Sequence, residues 1–168
     1  MSQDKKKESI KESFDHFKKN VKTLHLSTIT RNGKPNASYS PFVSDAEGHL
    51  YIFVSGLASH TQDLLDTADA SVLLMEDEAK TRQIFARQRI SYQCSVEIVS
   101  RKNEGYLKHL NAMEKRFGNI MELLRTLPDF ILFRLTPHQG QYVKGFGKAY
   151  KLIGSSLLEL EHIAPNKK

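Results

Sequence analysis

The segment at residues 89–101 constrains the fold more than any other part of the chain. Its apolar residues occupy every second position: Ile90, Tyr92, Cys94, Val96 and Ile98. The positions between them are polar or charged. This alternation is typical of a β-strand that packs one face on a core and turns the other toward solvent. Because a strand needs partners for its backbone hydrogen bonds, the pattern predicts a sheet.

Two turn signals divide the preceding sequence into hairpins. The β-branched stretch at residues 23–30 leads into Asn32-Gly33, a dipeptide that strongly favours a tight hairpin turn. A second turn, at residues 45–48, separates strands predicted at residues 35–44 and 49–55. Further strands are predicted at residues 71–75, 130–135 and 141–152.

Apolar residues recur at helical spacing in the remaining segments. An amphipathic helix is predicted near the start of the chain, where Ile10, Phe14 and Phe17 lie three or four residues apart. A short helix is expected at residues 58–67, and two helices that break near Gly118 are expected between residues 106 and 127. Strands joined by hairpins, with helices confined to the start and the insertions, predict a mostly β fold, an antiparallel barrel with peripheral helices.

Length and composition narrow the class of protein further. The 168 residues fit one domain, with a helical extension expected at residues 1–22, the barrel at 23–154 and a tail at 155–168. No apolar run reaches the roughly 20 residues of a membrane span, so we expect no membrane insertion. The charged first residues lead into no secretory signal. The single cysteine, Cys94, excludes an intrachain disulfide and a Cys-rich metal site, so we expect a cytoplasmic protein.

The formal net charge of +6 favours an anionic partner. The basic residues are spread along the chain and belong to none of the usual nucleic-acid modules. We therefore expect no nucleic acid as a partner. An anionic small ligand, carrying a phosphate or a propionate, fits the charge as well.

Two basic stretches are candidates for binding that ligand. Arg87 and Arg89 share one strand face if the alternation extends back to them, and each guanidinium presents a planar fork to a carboxylate or phosphate. The alternative is a solvated barrel exterior. Residues 142–150 place Lys144 among aromatic and basic residues on one face and small residues on the other, which a flat ligand could approach closely. The alternative there is that the glycines permit a sharp bend.

The seven histidines include no pair at a zinc spacing. His60 lies at a predicted helix start and His162 near the end of the chain, so these two are placed to meet a ligand. The other histidines are expected to be surface or packing residues.

Several stretches resemble one known family. Residues 33–42 (GKPNASYSPF) resemble the second-strand motif of FMN-binding split barrels related to pyridoxamine-phosphate oxidase. Residues 85–90 (FARQRI), 129–135 (DFILFRL) and 143–150 (VKGFGKAY) narrow the resemblance to the HugZ/HutZ haem-utilisation family. The resemblance runs from about residue 22 to residue 150, which is most of the chain.

This resemblance implies a split β-barrel that forms a homodimer, with haem held near the subunit interface. In the family a histidine of the C-terminal segment ligates the iron, and the residue that matches Asp129 hydrogen-bonds that histidine. Such a carboxylate fixes the ring tautomer and strengthens the nitrogen donor. The residues that match Arg89 and His60 lie on or near the haem region. Arg89 and Asp129 are therefore the expected catalytic residues, and Arg87, Arg89, Lys144 and His60 are expected to help bind haem.

The tail departs from the family pattern. The family ligand lies some residues beyond the position of His162, which is the last histidine of this chain. Either His162 has taken the role of axial iron ligand, which is the assignment adopted here, or the ligand has been lost and His60, another residue or water meets the iron.

Three functions follow from these observations. The first is a haem-degrading protein with haem-oxygenase-like activity, which uses oxygen and an external electron donor to release iron. The second is a haem carrier or store without turnover. The third is a flavoprotein, with the FMN phosphate held by Arg87, Arg89 and the helix start around Ser59.

Overall fold

The computed structural model describes residues 3–163. Their helices are α1 (Gln3–Asn20), α2 (Ser59–Thr67), α3 (Glu104–Phe117) and α4 (Ile120–Leu124). Their strands are β1 (Thr23–Ile29), β2 (Pro35–Pro41), β3 (Val43–Ser44), β4 (Leu50–Ser55), β5 (Asp69–Met75), β6 (Arg89–Ile98), β7 (Phe130–Gly145), β8 (Lys148–Ile153) and β9 (Glu159–His162). No helix of this part of the chain is both long and apolar enough to cross a membrane.

The strands form one antiparallel sheet in the order β2-β1-β5-β6-β7-β4-β3. The long strand β7 organises it, because its first half pairs with β4, its second half pairs with β8, and β6 lies along its other edge. Strand β9 pairs with the free edge of β8. The sheet curls into a half-barrel with few helices, which confirms the predicted mostly β class with peripheral helices.

The main core lies inside the curl. Four of the five alternating residues of β6 (Ile90, Tyr92, Cys94 and Val96) are buried there as predicted, while Ser91, Gln93 and Ser95 are exposed. The fifth, Ile98 at the end of the strand, is exposed instead. Helix α1 contributes Phe14, which is fully buried and meets Tyr142 edge to face with ring centroids 5.3 Å apart. A second, smaller core forms where α3 and α4 pack on β3, β4 and β7, with Leu110 and Leu132 almost fully buried.

Both predicted hairpins and the predicted helix break are confirmed. Strands β1 and β2 are joined at residues 30–34, where the Thr30 amide donates to the Lys34 carbonyl at 2.8 Å and Gly33 has a φ of +73°. Strands β3 and β4 pair across residues 45–49. Helix α3 ends at Gly118, whose φ of +83° interrupts the helix before α4 begins.

The prediction of a single strand at residues 141–152 is wrong. Strand β7 ends at Gly145 and β8 begins at Lys148, and the chain reverses at Gly147 with a φ of +66°. Tyr142 therefore pairs with Tyr150 across a hairpin. The small residues of this stretch do not form one face of one strand, so the glycines serve the turn.

Strand β7 is also longer than predicted, because it continues through Pro137 and His138. The register between β6 and β7 shifts here: Gln93 pairs with Gln139, but Cys94 pairs with Pro137, which leaves His138 as the extra residue of a bulge. A bulge is one of the few places where a sheet tolerates a proline.

Candidate functional site

Four of the predicted site residues lie at one end of the sheet, which we call the basic end: Arg87, Arg89, Lys144 and His162. Arg89 begins β6 and pairs with Val143 of β7, next to Lys144. His162, the last residue of β9, pairs with Tyr150 of β8. The hairpin between β7 and β8 thus brings residues from distant parts of the sequence to the same end.

The two arginines do not stand side by side on one strand. Arg87 lies before β6, after a 3-10 turn at Ile84–Ala86, so the strand alternation does not reach it. Its guanidinium donates to the Glu76 carbonyl and lies 3.5 Å from a carboxylate oxygen of Glu78. Arg89 donates through Nη1 to the Arg87 carbonyl at 3.0 Å. The positive charge of Arg87 is therefore largely balanced by groups of the same chain, whereas Arg89 has no carboxylate partner among the described residues.

His162 is exposed on the outermost strand of the sheet. Its Nε2 lies 3.2 Å from the Gly147 carbonyl oxygen, and its ring meets Tyr150 edge to face. Two large aromatic side chains at the same end also face solvent: Phe146 at the hairpin tip is 70% exposed and Phe85 in the 3-10 turn is 83% exposed. The basic end thus combines cations, an imidazole and exposed aromatic rings.

The other two predicted residues, Asp129 and His60, lie at the opposite end of β7, which we call the carboxylate end. Asp129 directly precedes β7, and Phe130 pairs with Ser55, the last residue of β4. His60 is the second residue of α2, which follows Ser55 after a short loop. Thr61 ties this helix to β4 by donating its hydroxyl to the Ser55 carbonyl at 2.6 Å.

Asp129 is half-buried and held by Ser55 and Gly56. The Ser55 hydroxyl donates to Oδ2 of Asp129 at 2.6 Å, and the Gly56 amide donates to the Asp129 carbonyl at 2.8 Å. No other hydrogen bond to this carboxylate occurs within residues 3–163.

His60 has an unusual ring environment. Its Nε2 is buried and has no hydrogen-bond partner among the described residues. Burial lowers the pKa of His60, and the nearby charge of Asp63 opposes this effect. Asp63 is itself held in place, because Thr28 and Asn36 donate to its Oδ2 at 2.7 and 2.8 Å. At neutral pH the His60 ring is therefore uncharged, the form that can accept a hydrogen bond or ligate a metal.

Within one chain the two ends stay apart. Phe130 and Val143 are thirteen positions apart on β7, so the strand between them spans up to about 40 Å. Neither end alone contains both His162 and Asp129.

A polar face without Asp, Glu, Lys or Arg connects the two ends on the outside of the sheet. It consists of two rows across β2, β1, β5, β6 and β7: Ala37, Ser27, Ser71, Gln93 and Gln139, then Tyr39, His25, Leu73, Ser91 and Gln141. We call it the serine-glutamine face. Charged residues make up 26% of the chain, so ten neighbouring positions without one are a marked departure from the rest of the surface.

Comparison with known proteins decides the family. The sequence profile of the pyridoxamine 5'-phosphate oxidase family matches residues 10–144. The chain is 40% identical over 147 residues to the protein named heme oxygenase HutZ of Vibrio cholerae, covering 88% of this chain and 83% of the relative. The chain belongs to the HutZ family.

Solved structures agree with this assignment to the HutZ family. The crystal structure described as HutZ, the heme storage protein from Vibrio cholerae, superposes with a TM-score of 0.76 at 39% identity, covering 81% of this chain and 95% of that chain. Campylobacter jejuni ChuZ superposes with a TM-score of 0.83 at 26% identity, covering 96% of this chain and 66% of that chain. The predicted split-barrel fold is therefore confirmed.

The sequence did not reveal Ser55 or the serine-glutamine face. Ser55 has no motif around it, and its link to Asp129 spans 74 positions of sequence. The face left a weak signal, because Ser27, Ser71, Ser91 and Gln93 occupy outward positions of predicted strands where charged residues are more common.

Proposed function

We propose that this protein binds haem as a substrate and breaks it down with dioxygen and electrons from an external donor, releasing the iron. The observation that carries this proposal is the 40% identity to a protein named heme oxygenase over 88% of the chain. The two groups of site residues described above are what such a reaction requires.

The basic end fits the chemistry of haem. Haem is a flat apolar macrocycle with two propionates and an iron that takes a nitrogen ligand. The exposed rings of Phe85 and Phe146 offer apolar surface, and Arg89 and Lys144 offer cations for the propionates. The exposed imidazole of His162 offers the nitrogen ligand.

We further propose that the protein is a homodimer whose site is shared between subunits. The serine-glutamine face supports this, because depletion of charge is characteristic of the core of an interface. Such a face pairs with itself about a two-fold axis. If that axis lies in the plane of the interface and is perpendicular to the strands, β7 of one subunit runs antiparallel to β7 of its partner. The carboxylate end of one subunit then lies beside the basic end of the other.

In the shared site each residue has a definite task. His162 holds the haem iron, which when bound and reduced supplies the centre that activates dioxygen. Asp129, from the other subunit, accepts a hydrogen bond from the far ring N–H, which fixes the tautomer and makes the imidazole a stronger donor. Arg89 and Lys144 neutralise and orient the propionates, with Arg87 steadying Arg89 through its carbonyl. His60 lines the carboxylate end as a neutral ring.

The buried Cys94 thiol takes no part in the reaction, because burial raises its pKa to about 12. A lone reduced thiol fits our proposed cytoplasmic location.

Two alternatives have some support. A haem store without turnover is favoured by the description of the Vibrio cholerae structure as a heme storage protein. An FMN-binding protein is favoured by the family profile alone. Within one chain the residues proposed for the flavin phosphate are not together, because Ser59 lies at the carboxylate end and contacts Asn36 at 3.2 Å, whereas Arg89 lies at the basic end.

Titration of the purified protein with haem, followed by addition of ascorbate in air, separates these functions. A haem-degrading protein gives a sharp Soret band that then disappears as free iron rises. A store keeps the band under the same conditions, and a flavoprotein purifies with two broad bands in the near-ultraviolet and blue. Absence of a Soret band at equimolar haem contradicts the proposal.

A further inference from the structure

The Ser55 hydroxyl has a fixed hydrogen-bonding direction. Its oxygen accepts the Leu57 amide proton at 3.1 Å, and its own single proton points to Oδ2 of Asp129 at 2.6 Å. A serine hydroxyl carries only one proton, so that proton is committed to Asp129. A bond to a charged acceptor at this distance belongs to the stronger class of hydrogen bonds.

Hydrogen bonds to backbone carbonyls also hold the main chain around Asp129. The Gly56 amide donates to the Asp129 carbonyl, and a Cβ on Gly56 would lie only 3.0 Å from that same oxygen, so the close approach favours glycine. On the other side, Arg101 donates to the carbonyls of Leu127, Pro128 and Phe130 at 3.3–3.4 Å. These contacts restrain the backbone on both sides of Asp129, and Ser55 restrains its side chain.

We propose that Ser55 is a positioning residue for Asp129, which selects the carboxylate oxygen that faces the iron-ligating histidine. This inference rests on the proposed function, because it concerns the same shared site. With Oδ2 engaged by Ser55, Oδ1 remains to accept a hydrogen bond from the ring N–H of the histidine.

The first test needs no haem. The carboxylate stretching band of Asp129 is assigned in the infrared difference spectrum between the wild-type protein and Asp129→Asn. Ser55→Ala should shift this band, whereas Ser55→Thr should leave it in place because the hydroxyl is kept. Ser95→Ala, at an exposed serine of β6, serves as the matched control. A band unchanged in Ser55→Ala overturns the inference.

The second test uses the haem complex. The iron–histidine stretching band of the reduced complex should shift in Ser55→Ala, and haem breakdown should slow about tenfold, as for other residues that orient a metal ligand. In the Asp129→Asn background, Ser55→Ala should add nothing, since Ser55 acts only through Asp129. An equal additional shift in that background overturns the inference.

The two failures are distinguishable. A wild-type protein that binds no haem overturns the proposed function, while the infrared test still decides whether Ser55 sets the Asp129 carboxylate. A wild-type protein that degrades haem, with Ser55→Ala indistinguishable from it in both spectra, overturns only the role of Ser55.

Discussion

The two histidines assigned to the site differ in what surrounds their ring nitrogens. The Gly147 carbonyl oxygen can only accept a hydrogen bond, so Nε2 of His162 is the donor in this conformation. Binding iron through Nε2 and donating from Nδ1 to Asp129 requires the other tautomer and loss of the Gly147 contact. In His60, by contrast, Nε2 is buried and has no hydrogen-bond partner among residues 3–163. Which of the two histidines ligates the iron depends on the surroundings of their ring nitrogens, and a sequence motif does not show these surroundings.

Replacing each histidine tests which one binds the iron. His162→Ala should shift the Soret band and abolish its oxygen-dependent loss, because the iron loses its nitrogen donor. His60→Ala is the matched control, and it should keep the Soret position. If the spectrum of His162→Ala is the same as that of the wild type, the ligand assignment is wrong and the tail histidine does not meet the iron.

At the scale of elements, alternation and turn residues predicted most of the strands but not where β7 ends. The pattern at residues 141–152 stays strand-like through the reversal, since Lys148, Tyr150 and Leu152 continue the alternation. Only the positive φ of Gly147 separates β7 from β8. The stretch also contains Gly145, and the sequence does not indicate at which of the two glycines the chain turns. Strand β9 was not predicted because it is four residues long, a length at which periodicity carries little information.

The hairpin between β3 and β4 should lose stability in acid. Asp45 accepts the His49 amide at 2.9 Å, the His49 Nδ1 at 2.8 Å and the Tyr51 hydroxyl at 2.9 Å. Burial alone would raise the pKa of Asp45, but these hydrogen bonds outweigh it and lower the pKa below its ordinary value. A pKa that is lower in the folded state stabilises the fold above the unfolded-state value, near pH 4, and the stabilisation is lost as the pH falls through the folded-state value.

Urea unfolding between pH 7 and pH 2.5 measures this contribution. Asp45→Asn should cost about 1–2 kcal/mol at pH 7 and should flatten the fall in stability below about pH 4. Asp69→Asn is the control, because that exposed carboxylate makes no hydrogen bond within the described residues. Equal acid sensitivity in the wild type and Asp45→Asn would show that the Asp45 hydrogen bonds do not contribute.

At the scale of the whole molecule, the motifs located candidate site residues but did not show how far apart they lie. The candidate residues Arg87, Asp129 and Lys144 come from three separate motifs. The structure separates them along β7, because Asp129 precedes its first residue and Val143 lies near its last. A one-dimensional pattern does not show that a strand of sixteen residues holds its two ends apart. The family resemblance implied haem near a subunit interface, and this separation within one chain supports the shared site that we propose.

A shared site makes a specific prediction about mixtures of inactive variants. His162→Ala and Asp129→Ala should each degrade haem poorly as homodimers, since every site lacks one group. After unfolding and refolding together in equal amounts, half of the dimers are mixed, and each mixed dimer has one intact site, so about a quarter of the wild-type rate should return. Sites built within one chain would instead give no recovery. Ser91→Glu in both variants is the control, because like charges facing each other across the serine-glutamine face should prevent assembly, and the recovered activity should then vanish together with the dimer in sedimentation.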